Sequence, residues 1–292
     1  MWVFFTLFAA FMQAWRNVFQ AQLSKDVGVV GVTLARFRFA GPIAAAYLVM
    51  LNVYHPQRVV FALTDEFILY GLGAAGMQII ATALMVMLFK FKGYVVGAGL
   101  AKSEVLIAAI LGGIWFSTSL SLLGWAGVTV GAVAVFIMGS KKSYSGFSSK
   151  VIVVGLLCGG CFALTSLWVR EASLSLALPY THSAAWLLLF VTCVQTVLLS
   201  AYLLGTNKRE FIALFNQRKR VLLTGISSCL GSIGWYTAMS IQAVPYVKTL
   251  GQVEVFFTLF IAVYWLKSGF ARKDILGLIS ISIASIFVLW GV

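Results

Sequence analysis

Long apolar runs, separated by short polar segments, extend along the whole chain. Each run has about 20 residues, and a helix of that length spans the roughly 30 Å hydrocarbon core of a bilayer. We count ten runs, near 2–22, 29–51, 67–88, 94–116, 120–139, 151–169, 180–204, 220–240, 244–266 and 273–291. The connections are too short for a separate soluble domain. The pattern predicts an all-α integral membrane protein with ten transmembrane helices.

The second half of the chain repeats features of the first half at a constant distance. A shift of 150 positions places Tyr94–Phe116 on Val244–Leu266 without a gap, and it matches Glu104 with Glu254. Carboxylates at bilayer depth are costly, and these two are the only ones deep inside the predicted spans, so their match carries the most weight. The other identical pairs are Leu100/Leu250, Val105/Val255, Trp115/Trp265, Gly127/Gly277 and Ala134/Ala284.

This duplication predicts two inverted repeats. Five spans per half is an odd number, so the second half would cross the membrane upside down relative to the first. Inverted repeats place a shared site near the bilayer midplane, at the interface between the halves. We expect one five-helix repeat at residues 1–139 and a second at residues 150–292, joined by a polar linker at 140–149.

The amino-acid composition excludes a soluble fold. The chain is 61% hydrophobic and 10% charged, with a mean hydropathy of +1.00, and such a chain has too little polar surface to cover its core. Cys158 and Cys161 form a CxxC pattern, but the pattern lies in the middle of an apolar run without further Cys or His close in sequence. We interpret both as small packing residues, and we expect no cofactor and no metal.

The net charge of +13 is scattered over the loops, which argues against a nucleic-acid partner. The loops after spans 1, 3, 5, 7 and 9 hold fourteen basic residues, and the other loops hold only Arg58 and Arg170. The fourteen are Lys25, Lys90, Lys92, Lys141, Lys142, Lys150, Lys208, Arg209, Arg218, Lys219, Arg220, Lys267, Arg272 and Lys273. Because basic loops stay on the cytoplasmic side, this asymmetry places the odd-numbered loops in the cytoplasm and both termini outside.

Seven charged residues remain inside the predicted spans. They are Arg16, Arg36, Arg38, Lys102, Glu104, Lys248 and Glu254. Five positive and two negative charges leave a formal +3, and charges at this depth are costly unless they meet partners or water. We therefore expect them to face one polar cavity, with Arg36 and Arg38 able to reach towards the nearer interface.

Uncharged polar residues in the first span add to this candidate site. Gln13, Asn17 and Gln20 follow the i, i+4, i+7 spacing of one helical face, with Arg16 at its edge. Such a polar stripe is typical of a helix that lines a cavity.

The spacing within the fourth and ninth spans indicates how their charges could pair. Lys102 and Glu104 are two residues apart and point about 200° apart on a helix, so they do not pair with each other. Lys248 and Gln252 share a face through their i, i+4 spacing, and Glu254 lies on another. Pairing across the halves is compatible with this spacing, either Lys102 with Glu254 or Lys248 with Glu104. Such pairs would either lock the halves together or change partners during transport.

The chain resembles the EamA-type members of the drug/metabolite transporter superfamily over nearly its whole length. The resemblance is carried by Ala101-Lys102-Ser103-Glu104 and Leu250-Gly251-Gln252-Val253-Glu254. Each segment is followed by an apolar helix, a short polar turn and a last span beginning near Gly127 or Gly277. The resemblance implies a multi-pass protein of the bacterial inner (plasma) membrane that carries amino acids, other metabolites or drugs. It also implies that both termini are cytoplasmic, opposite to the charge asymmetry, so the direction of transport stays open.

We expect a secondary transporter of small polar or zwitterionic metabolites such as amino acids, with export favoured over uptake. It would work by alternating access between the two halves. The candidate substrate and coupling residues are Glu104, Glu254, Lys102, Lys248, Arg16, Asn17, Gln13 and Gln252. A coupling proton is a hypothesis, motivated by two midplane carboxylates without a recognisable sodium site. The other expected partners are a small-molecule substrate and the lipid bilayer.

Three alternatives remain. A carrier of phosphorylated or nucleotide-sugar solutes would use Lys248 and the arginines as an anion clamp. An integral-membrane enzyme would need a metal cluster or a nucleophile–base constellation, and the sequence offers neither. A selective channel would need a ring of charges of one sign, which two carboxylates among five basic residues do not form. We therefore expect no enzyme activity.

Overall fold

Helices are the regular elements of the part of the chain that the structure describes. The computed structural model describes residues 1–56, 63–92, 100–116, 119–139, 149–264, 279–280, 282–284, 286–287 and 289–291. The α-helices are α1 (Trp2–Leu23), α2 (Val29–Phe37), α3 (Ala40–Tyr54), α4 (Asp65–Lys92), α5 (Glu104–Trp115), α6 (Leu122–Gly139), α7 (Ser149–Leu174), α8 (Tyr180–Thr206), α9 (Lys208–Asn216), α10 (Arg218–Ile241), α11 (Val244–Leu250) and α12 (Glu254–Tyr264). A 3-10 helix, Gly251–Val253, lies between α11 and α12. The predicted all-α class is confirmed over these residues.

Six helical segments among the described residues are long and apolar enough to cross a membrane. They are Val29–Tyr54 (which combines α2 and α3), Asp65–Phe91, Lys150–Leu174, Tyr180–Thr206, Arg218–Ile241 and Val244–Ile261. Shorter apolar helices are found in α5 and α6, and α1 has 22 residues but carries several polar side chains. These helices fit a membrane protein, in agreement with the apolar runs.

The number of ten spans and the inverted duplication remain predictions. All helices named above except α9 overlap one of the ten apolar runs. Residues 94–99 of the fourth run, residues 140–148 of the predicted linker and residues 273–278 of the last run lie outside the described residues.

Helices from the two predicted halves pack directly against each other. α1 packs along α10, and α4 packs along α7. At Gly234 of α10, an added Cβ would lie 2.7 Å from the Phe5 carbonyl oxygen of α1, so the missing side chain permits this close approach. Among the described residues, an extensive hydrophobic core lies between α3, α4, α7, α8 and α10, around Phe67, Leu187 and Tyr236. The helices of both predicted halves therefore pack into one bundle.

Two prolines lie near helix starts. α2 ends at Phe37 and α3 begins at Ala40, since Pro42 cannot donate to the Arg38 carbonyl and its ring crowds that oxygen. Pro245 lies in the first turn of α11, where the missing N–H has no intrahelical partner in any case.

The fourth and ninth runs are both interrupted immediately before the glutamate that the internal repeat matches. Lys102 and Ser103 form a turn, and α5 begins at Glu104. The 3-10 helix Gly251–Val253 interrupts the other run, and α12 begins at Glu254. Each carboxylate therefore lies at the N-terminus of a helix, where the helix dipole favours negative charge.

Candidate functional site

A polar cavity lies where α1, α2, α4, α7, α10, α11 and the starts of α5 and α12 meet. Its volume is about 50 Å³, enough for a few water molecules. Its charged lining residues are Arg16, Arg36, Lys102, Glu104, Lys248 and Glu254. Four cations and two carboxylates give the lining a formal net charge of +2. The cavity thus brings together most of the charges that the sequence placed inside the membrane.

Glu254 is the more extensively bonded of the two carboxylates. Its Oε1 accepts a hydrogen bond from Asn17 Nδ2 at 2.7 Å, and its Oε2 accepts one from Gln13 Nε2 at 2.6 Å. Lys102 forms an ion pair with the same Oε2. The Glu254 side chain is only 2% exposed. One cation and two amides therefore replace the water that this carboxylate loses.

Two further donors set the orientation of the α1 amides. Arg16 donates to Asn17 Oδ1 from Nε at 3.1 Å and from Nη2 at 2.8 Å, which leaves Asn17 Nδ2 directed at Glu254. Trp235 Nε1 donates to Gln13 Oε1 at 2.9 Å and leaves Gln13 Nε2 for the same carboxylate. The polar stripe of α1 is thus pre-arranged to hold a negative charge.

Glu104 has fewer partners. Lys248 Nζ lies 2.7 Å from Glu104 Oε1, and the Ser166 hydroxyl lies 2.9 Å from the same oxygen. That hydroxyl is also 2.9 Å from the Phe162 carbonyl oxygen, so its single proton serves one acceptor at a time. Lys248 Nζ lies 4.5 Å from the centre of the Trp235 ring, a favourable cation–π geometry.

Both ion pairs connect the two predicted halves. Lys102 from the first half pairs with Glu254 from the second, and Lys248 from the second pairs with Glu104 from the first. This is the cross arrangement that the sequence spacing allowed. All four side chains are at most 15% exposed, so each pair carries a substantial desolvation cost that its partners must offset.

Gln252 does not line the cavity, although the sequence placed it at the site. It is fully buried, and neither its Nε2 nor its Oε1 has a hydrogen-bond partner among the described residues. Its Oε1 lies 2.2 Å from where a Cβ on Gly131 of α6 would be. The i, i+4 reasoning that grouped it with Lys248 fails because the chain changes to a 3-10 helix at Gly251–Val253, which rotates the following side chains. Gln20 is also buried outside the cavity lining.

Arg36 is a cavity residue that the sequence left undecided. It is 3% exposed, and it donates to Ser228 Oγ at 3.2 Å and to Thr82 Oγ1. Arg38 instead lies outside the cavity, with its guanidinium 4.3 Å from the centre of the Phe215 ring. Two residues separated by two positions point to nearly opposite sides of a helix, and this signal could have distinguished them. Ser166 is uncharged and gave no comparable signal.

No family model and no curated protein sequence matches this chain. Among solved structures, 28 chains match. One crystal structure of a protein superposes with a TM-score of 0.71 at 16% sequence identity, and the match covers 98% of this chain and 96% of that one. The superposition shows that the two chains share a fold over nearly their whole lengths.

Proposed function

We propose that this protein is a secondary transporter of small polar or zwitterionic metabolites. Amino-acid-like solutes are the first candidates for its substrate. The observation that carries the proposal is the polar cavity bounded by two reciprocal ion pairs between the predicted halves. In alternating access, the halves rock around a site at their interface. Ion pairs at that interface hold one conformation and must open or exchange partners in the other.

The less extensively bonded pair is our choice for the one that opens. Glu104 has one cation and one shared hydroxyl, whereas Glu254 has one cation and two oriented amides. A zwitterionic solute supplies one group of each sign. Its carboxylate can replace Glu104 at Lys248, and its ammonium group can replace Lys248 at Glu104. Such an exchange leaves no buried charge without a partner.

A finer form of the proposal includes the architecture and the setting. We propose ten spans in two inverted five-helix halves, in an EamA-type member of the drug/metabolite transporter superfamily in the bacterial inner membrane. Export is favoured over uptake, and a proton is the candidate coupling ion because the cavity contains two carboxylates. Transport that is unchanged when the pH gradient is collapsed would remove proton coupling from the proposal.

The positive lining supports a second candidate function. The formal +2 of the cavity, with Arg16 and Arg36 beside Lys248, suits a solute that carries more negative than positive charge, such as a phosphorylated or nucleotide-sugar metabolite. An anion carrier would lose binding of the anion selectively in Lys248→Ala. A zwitterion carrier would lose transport in both Lys248→Ala and Glu104→Gln.

The test is substrate counterflow in proteoliposomes with labelled amino acids and organic anions. Wild type is compared with Glu104→Gln, Glu254→Gln and the control Glu66→Gln, which makes the same change at an exposed carboxylate. We expect saturable counterflow in wild type and control, and its loss in both cavity variants. Full activity of both cavity variants would make the pairs purely structural. Absence of counterflow for every solute class in wild type would refute the transporter proposal.

A further inference from the structure

The short helix α9 connects two candidate membrane spans and must therefore lie at the membrane boundary. α8 ends at Thr206 and α10 begins at Arg218, with Asn207 and Gln217 as single residues on either side of α9. The Asn207 side chain caps α9 by accepting a hydrogen bond from the Glu210 N–H at 3.2 Å. Because both neighbouring helices belong to candidate spans, α9 has no room to move far from the interface.

One face of α9 is docked on the bundle. Leu214 is 1% exposed and belongs to a core cluster with Leu23 and Val221. One turn earlier, Glu210 Oε1 accepts the Gly31 backbone N–H of α2 at 2.7 Å. This N–H is in the first turn of α2, where backbone donors have no intrahelical acceptor and the helix dipole favours a carboxylate. The one acidic side chain of α9 is thus turned inward.

The opposite face of α9 is both apolar and basic. Ile212 and Phe215 are 58% and 41% exposed. They share a helical face with Lys208, which is also exposed. Exposed cations continue around both ends of the helix at Arg209, Arg218 and Lys219, whereas Arg220 is paired with Asp26. The Arg38 guanidinium adds a further positive charge beside Phe215, 4.3 Å from the ring centre.

We propose that this outward face of α9, with its flanking basic residues, is a docking surface for the anionic head-group layer of the membrane. Charge complementarity and position carry the inference. Apolar side chains flanked by Lys and Arg are the composition of helices that lie in the interface and bind anionic lipids. The loop that contains α9 is also on the predicted cytoplasmic side, whose leaflet carries the negative surface potential. The proposal concerns lipid binding and does not depend on the transported solute.

The test measures binding of a fluorescent phosphatidylglycerol to the purified full-length protein in a neutral detergent. Phosphatidylcholine with the same label is the neutral reference. Lys208, Arg209, Arg218 and Lys219 are changed to Gln together in the α9 variant. A matched control changes Lys25, Lys141, Lys142 and Lys150, four basic residues of other loops on the same predicted side, to Gln.

We expect wild type and control to prefer phosphatidylglycerol, and the α9 variant to bind it at least about tenfold more weakly, since each cation near an anionic surface contributes roughly fivefold. Binding of phosphatidylcholine should change little. In wild type, raising the salt from low to high concentration should abolish most of the preference, because exposed charges are screened. This second measurement needs no variant, so it still applies if the α9 variant does not fold.

Three results would overturn the proposal. The first is a wild type without a preference for phosphatidylglycerol or with a preference that high salt leaves unchanged. The second is a preference that persists in a folded α9 variant. The third is an equal loss in the α9 variant and the control, which would assign the effect to the overall positive charge of the protein.

Discussion

The ion pair between Lys102 and Glu254 offers a quantitative test of how the two predicted halves are held together. Lys102→Met keeps much of the side-chain volume and removes the charge, and it leaves Glu254 buried with two amide donors from α1. Glu254→Gln removes the negative charge of the pair and leaves Lys102 without its carboxylate. The double variant has neither charge, so it separates the energy of the pair from the cost of leaving one member alone.

The expected magnitude follows from burial. Lys102 is 15% exposed and Glu254 is 2% exposed, and removal of one member of a buried pair costs about 3–5 kcal/mol. We expect Lys102→Met near the lower value, about 3 kcal/mol, because Gln13 and Asn17 still donate to the remaining carboxylate. The double variant should be less destabilised than the sum of the single variants, with a coupling of about 2 kcal/mol or more.

The assay is reversible unfolding of the purified protein in mixed micelles, with the free energy of unfolding measured for all four members of the cycle. Arg220→Met is the comparison, because the Arg220–Asp26 pair is 44% and 45% exposed. An exposed pair contributes only about 0.2–1 kcal/mol. If Lys102→Met costs no more than Arg220→Met, or if the coupling is below about 0.5 kcal/mol, the buried pair does not hold the halves together.

Three further substitutions and one control substitution test how the site is positioned. Asn17→Leu should lower the free energy of unfolding by about 2–4 kcal/mol, because it removes a charge-assisted donor to Glu254; an effect below about 0.5 kcal/mol would contradict the arrangement. Gly159→Ala should cost about 1–3 kcal/mol by overpacking, since its Cβ would lie 2.9 Å from the Glu104 backbone nitrogen. Gly160→Ala has nothing within 4 Å of its Cβ and should be neutral, so equal effects of the two changes would refute this reasoning. Trp235→Phe should cost about 1 kcal/mol, because it removes the indole N–H but keeps the aromatic ring; unchanged stability would show that this hydrogen bond is dispensable.

The lengths of the apolar runs predicted the helical class, because a membrane span needs an uninterrupted apolar segment and such a segment can be recognised in a single sequence. The run lengths did not predict where the helices break. Ser103 and Val253 look like ordinary members of apolar runs, and the turn before α5 and the 3-10 helix before α12 depend on tertiary packing. At Gly159, for example, the small residue of α7 lets the chain at Ser103 approach closely.

The charged part of the site could be predicted because a buried charge demands a partner, so Lys102, Glu104, Lys248 and Glu254 had to meet something polar. The uncharged part could not be predicted in the same way. Ser166 carries no such demand, and many serines in membrane helices bond only to their own backbone. Gln252 shows the opposite error, since a polar residue at regular spacing was assigned to a cavity that the helix break turns it away from.

The internal repeat makes the two glutamates equivalent in sequence, but their partners are not equivalent. The shift of 150 positions that superposes Glu104 on Glu254 carries Lys102 onto Gln252. The lysine that pairs with Glu104 is therefore not the counterpart of the lysine that pairs with Glu254. The amides of Gln13 and Asn17 stabilise Glu254 alone.

If the two ion pairs were functionally equivalent, Glu104→Gln and Glu254→Gln would have the same phenotype. The asymmetric bonding predicts different ones. Glu104→Gln should abolish coupled transport and lower stability to a smaller extent, because it leaves Lys248 without its carboxylate but breaks only one further, shared hydrogen bond. Glu254→Gln should lower stability more, because it leaves Lys102 without its carboxylate and also weakens the bonds from two oriented amides. Counterflow and unfolding measured on the same two proteins distinguish these cases, and equal losses of both properties would show that the duplication governs the site more strongly than its local bonding.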